Sequence, residues 1–577
     1  MKSILKEYLR GLKERKELDS LLPSLLSTMG LNVITEPSIG TTQHGVDCYA
    51  VGRMPDESDS NVYLLTIKSG DLSKTNWDNG EQAVRASLNE ILDAYLKNRI
   101  LEEHKKLHIK VCICFGGDIK ENILSNVSGF IDNHTKDNIS FEIWNGDKIA
   151  DLILNYMMTE KILFDIDTAY LKKSLSLVDS PDDSFNFFRS FAQEILNIPK
   201  DERSLEKYIR ILNVSTLILH KACEKTNNLE CAYLASELAY LYNFDMINQI
   251  YKTDVIAQKE KIIEILRHSQ YIYLNIADSF FAKIRPYLDS KFALSFLTCP
   301  ASEIDTNLKL FDILGRMATT AFVHWLSNNH SQYDSYILDL SKLINNNPVL
   351  LSPIKEEQTV DISLAFLLLY YANCIKYLND WISSMVSCID KTLLMRALYP
   401  RIDLGYEDLL KSINQKDEEN FKNITCSSVL YSTLAFFSLR LENVDLFRKL
   451  SSAIEKHLPH CNLQAFFFDE NSDEHFYRND CGYGVSMVDI SLLNENDFFN
   501  NLVDAIKKMN SLSYMTASKV GLFDIIIVGC RHHRIPLPWE FFCKQSLPSS
   551  ENIDQDEVGK GQPKEENIRI EIENLSK

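Results

Sequence analysis

Between Ile39 and Asp71 the chain reads IGTTQHGVDCYAVGRMPDESDSNVYLLTIKSGD, and two residues in it have the types and spacing for phosphodiester chemistry. Asp47 stands at the head of one apolar run, Val46–Val51, and Lys68 closes the next, Val62–Lys68. If the runs are adjacent antiparallel strands joined across the short polar span MPDESDSN, both side chains reach one edge of a sheet. There a carboxylate can ligate Mg²⁺, and an ammonium can orient a water and stabilise charge developing on phosphorus. Each residue also has a plainer reading: an Asp at a strand head caps a turn, and a Lys on an edge strand discourages aggregation.

The elements that must position this pair are readable on either side of it. Leu5 to Met29 has helical apolar spacing, with Gly30 as a stop and Pro23 as a break or a new start. Three β-like runs follow at Leu31–Thr35, Val46–Val51 and Val62–Lys68. Asn79 to His104 is expected as one long helix, with Val84, Leu88, Ile91, Leu92 and Tyr95 on one face and Gln82, Arg85 and Asn89 opposite. Then come a strand at Ile109–Phe115, a Gly-Gly turn, a helix, a strand at Ile139–Trp144, and a helix from about Asp147. The two lower strands should share one mixed sheet with the first three.

This element order, with its motifs, resembles the PD-(D/E)XK restriction-endonuclease superfamily, in particular its branch related to type IV restriction enzymes. The resemblance covers residues 1 to about 160. GVD (Gly45–Asp47) stands where that branch has G-x-D, and TIK (Thr66–Lys68) where it has E-x-K or Q-x-K. LDSLLPSLLSTMG (Leu18–Gly30) looks like the family's first helix, whose acidic residue corresponds to Asp19. FEIWNGDKIADLI looks like its closing strand, turn and helix. The resemblance implies a catalytic set of Asp47, Lys68, Thr66 and Gln82, and Mg²⁺ or Mn²⁺ as cofactor. Thr66 departs from the family's Glu or Gln, so the metal would fall to Asp47, the Ile67 carbonyl and another acid, with Asp19, Asp71 and Asp78 as candidates. It further implies nucleic acid, DNA in the first instance, as substrate. A restriction-like head on a long helical body resembles effectors of bacterial defence against phage.

From Thr168 to Pro548 the spacing is almost entirely helical, as in Leu229–Tyr242, Lys259–His268, Leu308–Leu326 and Val429–Leu441. Paired helices of this length suggest an α-solenoid or bundle, with no sheet of more than two strands. The run Val520–Gly529, rich in Ile and Val, is the one place where a strand competes. CRHHRIPLPWEFF (Cys530–Phe542) is a second cluster: its Arg and His side chains could touch phosphate, and Cys530, His532, His533 and Cys543 could hold zinc. The spacing is poor for zinc, and the two prolines favour an extended segment that docks Trp539 and Phe541 onto neighbouring helices. HLPHC (His457–Cys461) reads as a turn between helices, and Cys112 and Cys114 as core thiols.

Composition bounds these readings. The chain of 577 residues needs more than one core. Thirteen cysteines, an odd count without framework spacing, fit reduced thiols in a cytoplasm. The N-terminal MKSILKEYLRGLKERKELD is a charged amphipathic helix unlike a signal peptide, and Ile362–Cys374 is too short to span a membrane. The net charge of −19, with acids outnumbering bases over residues 1–160 as well, argues against broad coating of nucleic acid. No Walker-type phosphate loop occurs. The expected organisation is a multidomain α/β plus all-α chain. Residues 1–165 form a restriction-endonuclease-like mixed sheet flanked by helices, 166–548 a helical region, and 549–577 a disordered acidic tail. Three functions compete: a metal-dependent nuclease; a silent nuclease fold, degraded at Thr66, that binds nucleic acid or a protein partner; and a helical adaptor or homo-oligomer that assembles a complex.

Overall fold

Asn61–Lys68 (β3) is buried along nearly its whole length, as a strand covered on both faces must be, and it lies at the centre of a five-stranded sheet. The structure, a computed structural model, describes residues 2–12, 14, 18–35, 44–55, 57–79, 83–136, 138–157, 168–252, 254–298, 302–402, 405–414, 417–479, 485–492 and 494–542. The sheet order is β1-β2-β3-β4-β5, with β1 at Asn32–Thr35, β2 at Cys48–Gly52, β4 at His108–Phe115 and β5 at Ile139–Trp144. β1, β2 and β3 pair antiparallel, while β3, β4 and β5 run parallel. The five expected strands therefore share one mixed sheet, and β2 and β3 are adjacent and antiparallel.

Alternation along the strands sorts the residues by face. Tyr49, Val62, Leu64, Val111, Ile113 and Phe115 form one apolar core with Trp77, Val84, Leu88, Ile91, Val127 and Phe130 from the covering helices. Those helices are α3 (Lys74–Asp78), α4 (Val84–Glu90), continued by a π-helical turn at Ile91–Tyr95, and α5 (Glu121–His134). The opposite face carries Tyr63, Leu65, Ile67, Cys112 and Cys114, all buried. Two further helices, α1 (Lys2–Gly11) and α2 (Asp19–Thr28), precede the sheet, and α6 (Gly146–Leu152) follows it.

Two helical expectations change. The single helix expected over Asn79–His104 is shorter, and a separate short helix precedes it: α3 ends at Asp78, where Asn79 is extended, and its Trp77 packs in the core against Phe130. The helix within the expected range starts at Val84, passes through a π-helical turn at Ile91–Tyr95 and ends at Asn98. Pro23 does not break the N-terminal helix; it lies buried as the fifth residue of α2, where its missing N–H costs the helix one bond to the Asp19 carbonyl, and α1 has already ended at Gly11.

The chain divides into two compact units, one of residues 1–199 with 203–232 and the other of residues 200–202 with 233–577. The second unit is a long helical region. Its helices include Lys259–Ile284, Glu303–Leu326, His330–Asn346, Thr359–Tyr371, Ile375–Met395 and Phe523–His533. Val520–Gly529 thus contributes to a helix, not to a strand. The expectation of no sheet larger than two strands is overturned by a three-stranded sheet, β6 (Ser427–Ser428), β7 (Asn462–Phe468) and β8 (Val485–Ile490). β7 carries Ala465, Phe466, Phe467 and Phe468 fully or almost fully buried, an apolar run whose length fits a strand as well as a helix turn. His457–Cys461 accordingly turns from a helix into a strand. Among the described residues no helix is long and apolar enough to cross a membrane. The expected tail at 549–577 lies outside the described residues.

Candidate functional site at the end of the central strands

Gly45 sets the approach to the site. Its φ of +78° is a left-handed conformation, and a side-chain carbon there would collide with the backbone of Ser87 on α4. Only glycine lets this loop lie flat against the helix, and the loop then delivers Asp47 to the end of β2. The Asp47 N–H donates to the Leu65 carbonyl at 2.8 Å, and its Oδ2 accepts from the Ile67 N–H at 2.7 Å. The Cys48–Leu65 pairing of β2 with β3 brings Asp47 alongside Thr66. One residue beyond the Ile67 N–H, Lys68 closes β3, and its Nζ lies 3.0 Å from Glu14 Oε1.

The electrostatics of Asp47 are those of an under-compensated carboxyl. Burial comes first and pushes its pKa up to about 6; the Ile67 N–H and the Lys68 ammonium oppose this, while the charges of Glu14 and Asp19 reinforce it. Asp47, Glu14, Asp19 and Lys68 therefore share one field. Thr66 is 1 % exposed, and its Oγ1 has no hydrogen-bond partner among the described residues. A buried hydroxyl in that condition is costly, and it lies on the strand segment between the Asp47 and Lys68 contacts.

The structure thus brings together Asp47, Thr66, Ile67 and Lys68. Asp19 begins α2 and reaches Asp47 through its charge; the hydrogen bond its carboxylate accepts is from the adjacent Ser20 hydroxyl. Asp71 is committed elsewhere: it accepts from the Asp118 N–H and pairs with Lys120 and Arg10, which hold it below the usual carboxylate range. Asp78 pairs with Arg85 at 3.3 Å. Gln82 lies outside the described residues. Glu14 is the neighbour of this group that the sequence reading missed. Its signal was weak, an acid in a charge-rich segment before α2, and the resemblance directed attention to Asp19.

A divalent cation can be tested against this donor set. Among the described residues no group of three His, Cys, Asp or Glu side chains stands close enough to enclose an ion. Carboxylate and carbonyl oxygens nevertheless suit a hard cation, and Mg²⁺ commonly takes only one or two carboxylates, with waters and substrate oxygens completing its shell. The orphaned Thr66 hydroxyl is a buried polar atom that such a shell could satisfy. The residues present fit on those terms, with Asp47 and the Ile67 carbonyl as direct donors and Glu14 or Asp19 as the nearby acid.

The second cluster has a structural role. Arg531 is 2 % exposed and is held by Glu237 at 2.6 Å and Asp312 at 2.5 Å, while Arg534 pairs with Asp361 and Asp312. His532 approaches Glu237, and His533 approaches the Tyr477 carbonyl with its pKa pushed down to about 3 by burial. Cys530 is buried with its thiol toward the Pro536 carbonyl, and Trp539 and Phe541 are fully buried, as docking of this segment requires. Cys543 lies outside the described residues. Comparison with known proteins finds no match: no family model, no curated protein and no solved structure aligns with this chain.

Proposed function

We propose that the N-terminal unit is a metal-dependent nuclease head, with DNA as its substrate, carried on a helical region that serves as sensor or scaffold. The observation that carries this reading is the juxtaposition at one sheet end of Asp47, raised to about 6, with Lys68 and the Ile67 backbone. The antiparallel β1–β2–β3 meander, the helical crossover and the parallel β4 support it, being the element order of the PD-(D/E)XK resemblance. A bound divalent cation supplies Lewis-acid polarisation of the attacked phosphate. The chain's own contributions are distinct. Asp47 and the Ile67 carbonyl offer oxygens to the cation, and Asp19 or Glu14 adds negative potential. Lys68 offers its ammonium to a non-bridging phosphate oxygen or to the attacking water. Proteins of similar layout suggest bacterial defence against phage as the setting.

The test is nicking of supercoiled plasmid with Mg²⁺ or Mn²⁺ by the wild-type chain and by Lys68→Ala. Metal-dependent nicking that Lys68→Ala loses sustains the proposal; equal nicking by both chains, or none by wild type, ends it. A second reading, a silent fold that binds nucleic acid or a protein partner, draws on a specific observation: Lys68 is already neutralised by Glu14 and no acid occupies position 66. Metal-independent retention of DNA without nicking would select it.

A further inference from the structure

The helical unit contains a small cavity of about 140 Å³ lined by Leu308, Lys355, Glu357, Gln358, Asp361, Tyr406, Leu409 and Arg534. Its charged lining is balanced, with two cations, Lys355 and Arg534, against two carboxylates, Glu357 and Asp361. The opposite charges stand next to one another: Lys355 Nζ is 2.7 Å from Glu357, and Arg534 Nη1 is 2.7 Å from both oxygens of Asp361. Behind the wall the balance continues, because Arg316 and Arg531 face Asp312 and Glu237. Gln358 is locked, its amide shared between Asn307 and the backbone of Ile354 and Lys355.

We propose that this cavity binds a small zwitterion, an α-amino acid with a short apolar side chain. A net anion or a net cation would enter a site with no surplus charge to meet it and would pay desolvation without compensation. A molecule that carries a carboxylate and an ammonium a few ångströms apart can address both kinds of pole and leave the balance intact. Donors remain for it: Arg534 spends two of its nitrogens on Asp361 and Asp312, and Lys355 spends one of three protons on Glu357. Leu308, Leu409 and the half-exposed Tyr406 ring supply the apolar contact. The small volume of the cavity selects a short side chain.

The lining residues belong to the second unit and none of them is among the sheet-end residues, so the proposal does not depend on the nuclease reading. The experiment is calorimetric titration of the full chain with L-alanine, with acetate and methylammonium as single-charge controls. The expected result is saturable binding of L-alanine, at least tenfold tighter than either control. The double variant Lys355→Met with Glu357→Gln, which keeps the charge balance and leaves the buried arginine cluster untouched, should weaken it at least tenfold. An unchanged melting curve for this variant separates lost binding from lost folding. No saturable heat from L-alanine up to about 10 mM overturns the proposal. So does acetate binding as tight as L-alanine, which marks an anion site, or full affinity in the double variant.

Discussion

Two groups of charges in this protein illustrate opposite uses of burial. In the helical unit Arg531 and Arg534 are enclosed with Glu237, Asp312 and Asp361, and each guanidinium has at least two carboxylate oxygens within hydrogen-bond distance. At the end of the sheet Asp47 is half-buried, but its hydrogen bond comes from one backbone N–H, and the Lys68 ammonium is engaged by Glu14. In the helical cluster every one of these carboxylates faces a guanidinium. The sheet end leaves a carboxyl under-compensated and a hydroxyl without a partner, a condition that folding alone does not favour and that a bound ligand would relieve. Asp361 shows that a raised pKa is not enough for this distinction: burial lifts it to about 6 as well, yet it is gripped by Arg534. Compensation, more than the size of the shift, separates the two regions.

That contrast is open to attack from both sides. The largest effect is expected from Arg531→Met, which leaves Glu237 and Asp312 buried without their main partner. Urea unfolding should show a loss of about 3–5 kcal/mol in the helical unit; a loss below about 1 kcal/mol would mean that the cluster does not hold the fold. On the other side, Lys68→Ala should reduce metal-dependent nicking by about 10²–10³-fold with little change in the melting curve. Equal loss of folding and activity would make Lys68 structural.

Asp47→Asn should abolish nicking and, unusually for a site substitution, raise stability. The carboxyl's folded pKa of about 6 lies above its unfolded value, so the folded state binds more protons between about pH 4 and 6. Stability therefore falls as pH rises through that window, and above it the ionised carboxylate carries a constant cost. Removing the charge should recover about 1–2 kcal/mol at pH 7 and nothing below about pH 4, read as the difference between the two chains' pH–stability curves. The same proton competes with a cation, so Mn²⁺ affinity of the wild type should climb between pH 5 and 7 and then level off. A flat profile would place the cation elsewhere. The smallest effect belongs to Thr66→Val, which removes the unpartnered hydroxyl at nearly constant volume. Stability should be unchanged or higher by up to about 1 kcal/mol, and a clear loss in urea unfolding would show that the hydroxyl is satisfied.

The sequence by itself determined the sheet and the pair on it. Alternating and continuous apolar runs placed all five strands of the first unit, because a strand buried on both faces must be apolar throughout. The short polar span after β2 fixed β2 and β3 as neighbours, and with them Asp47 and Lys68. It also determined that Trp539 and Phe541 are packing residues, since a proline-bounded aromatic pair has few other uses. Helix limits were less legible: Asn79 stops α3 through a backbone conformation that apolar periodicity does not encode. The β7 run AFFF was unreadable for the related reason that short apolar segments fit strand and helix alike. Tertiary structure alone decided the charges. Glu14 meets Lys68 across 54 residues, and Arg531 meets Glu237 across 294, separations at which no spacing rule operates. The state of Asp47 depends on how much water its neighbours exclude and which charges they place nearby. That is a property of the packed molecule, and it turned an aspartate at a strand head into a candidate site.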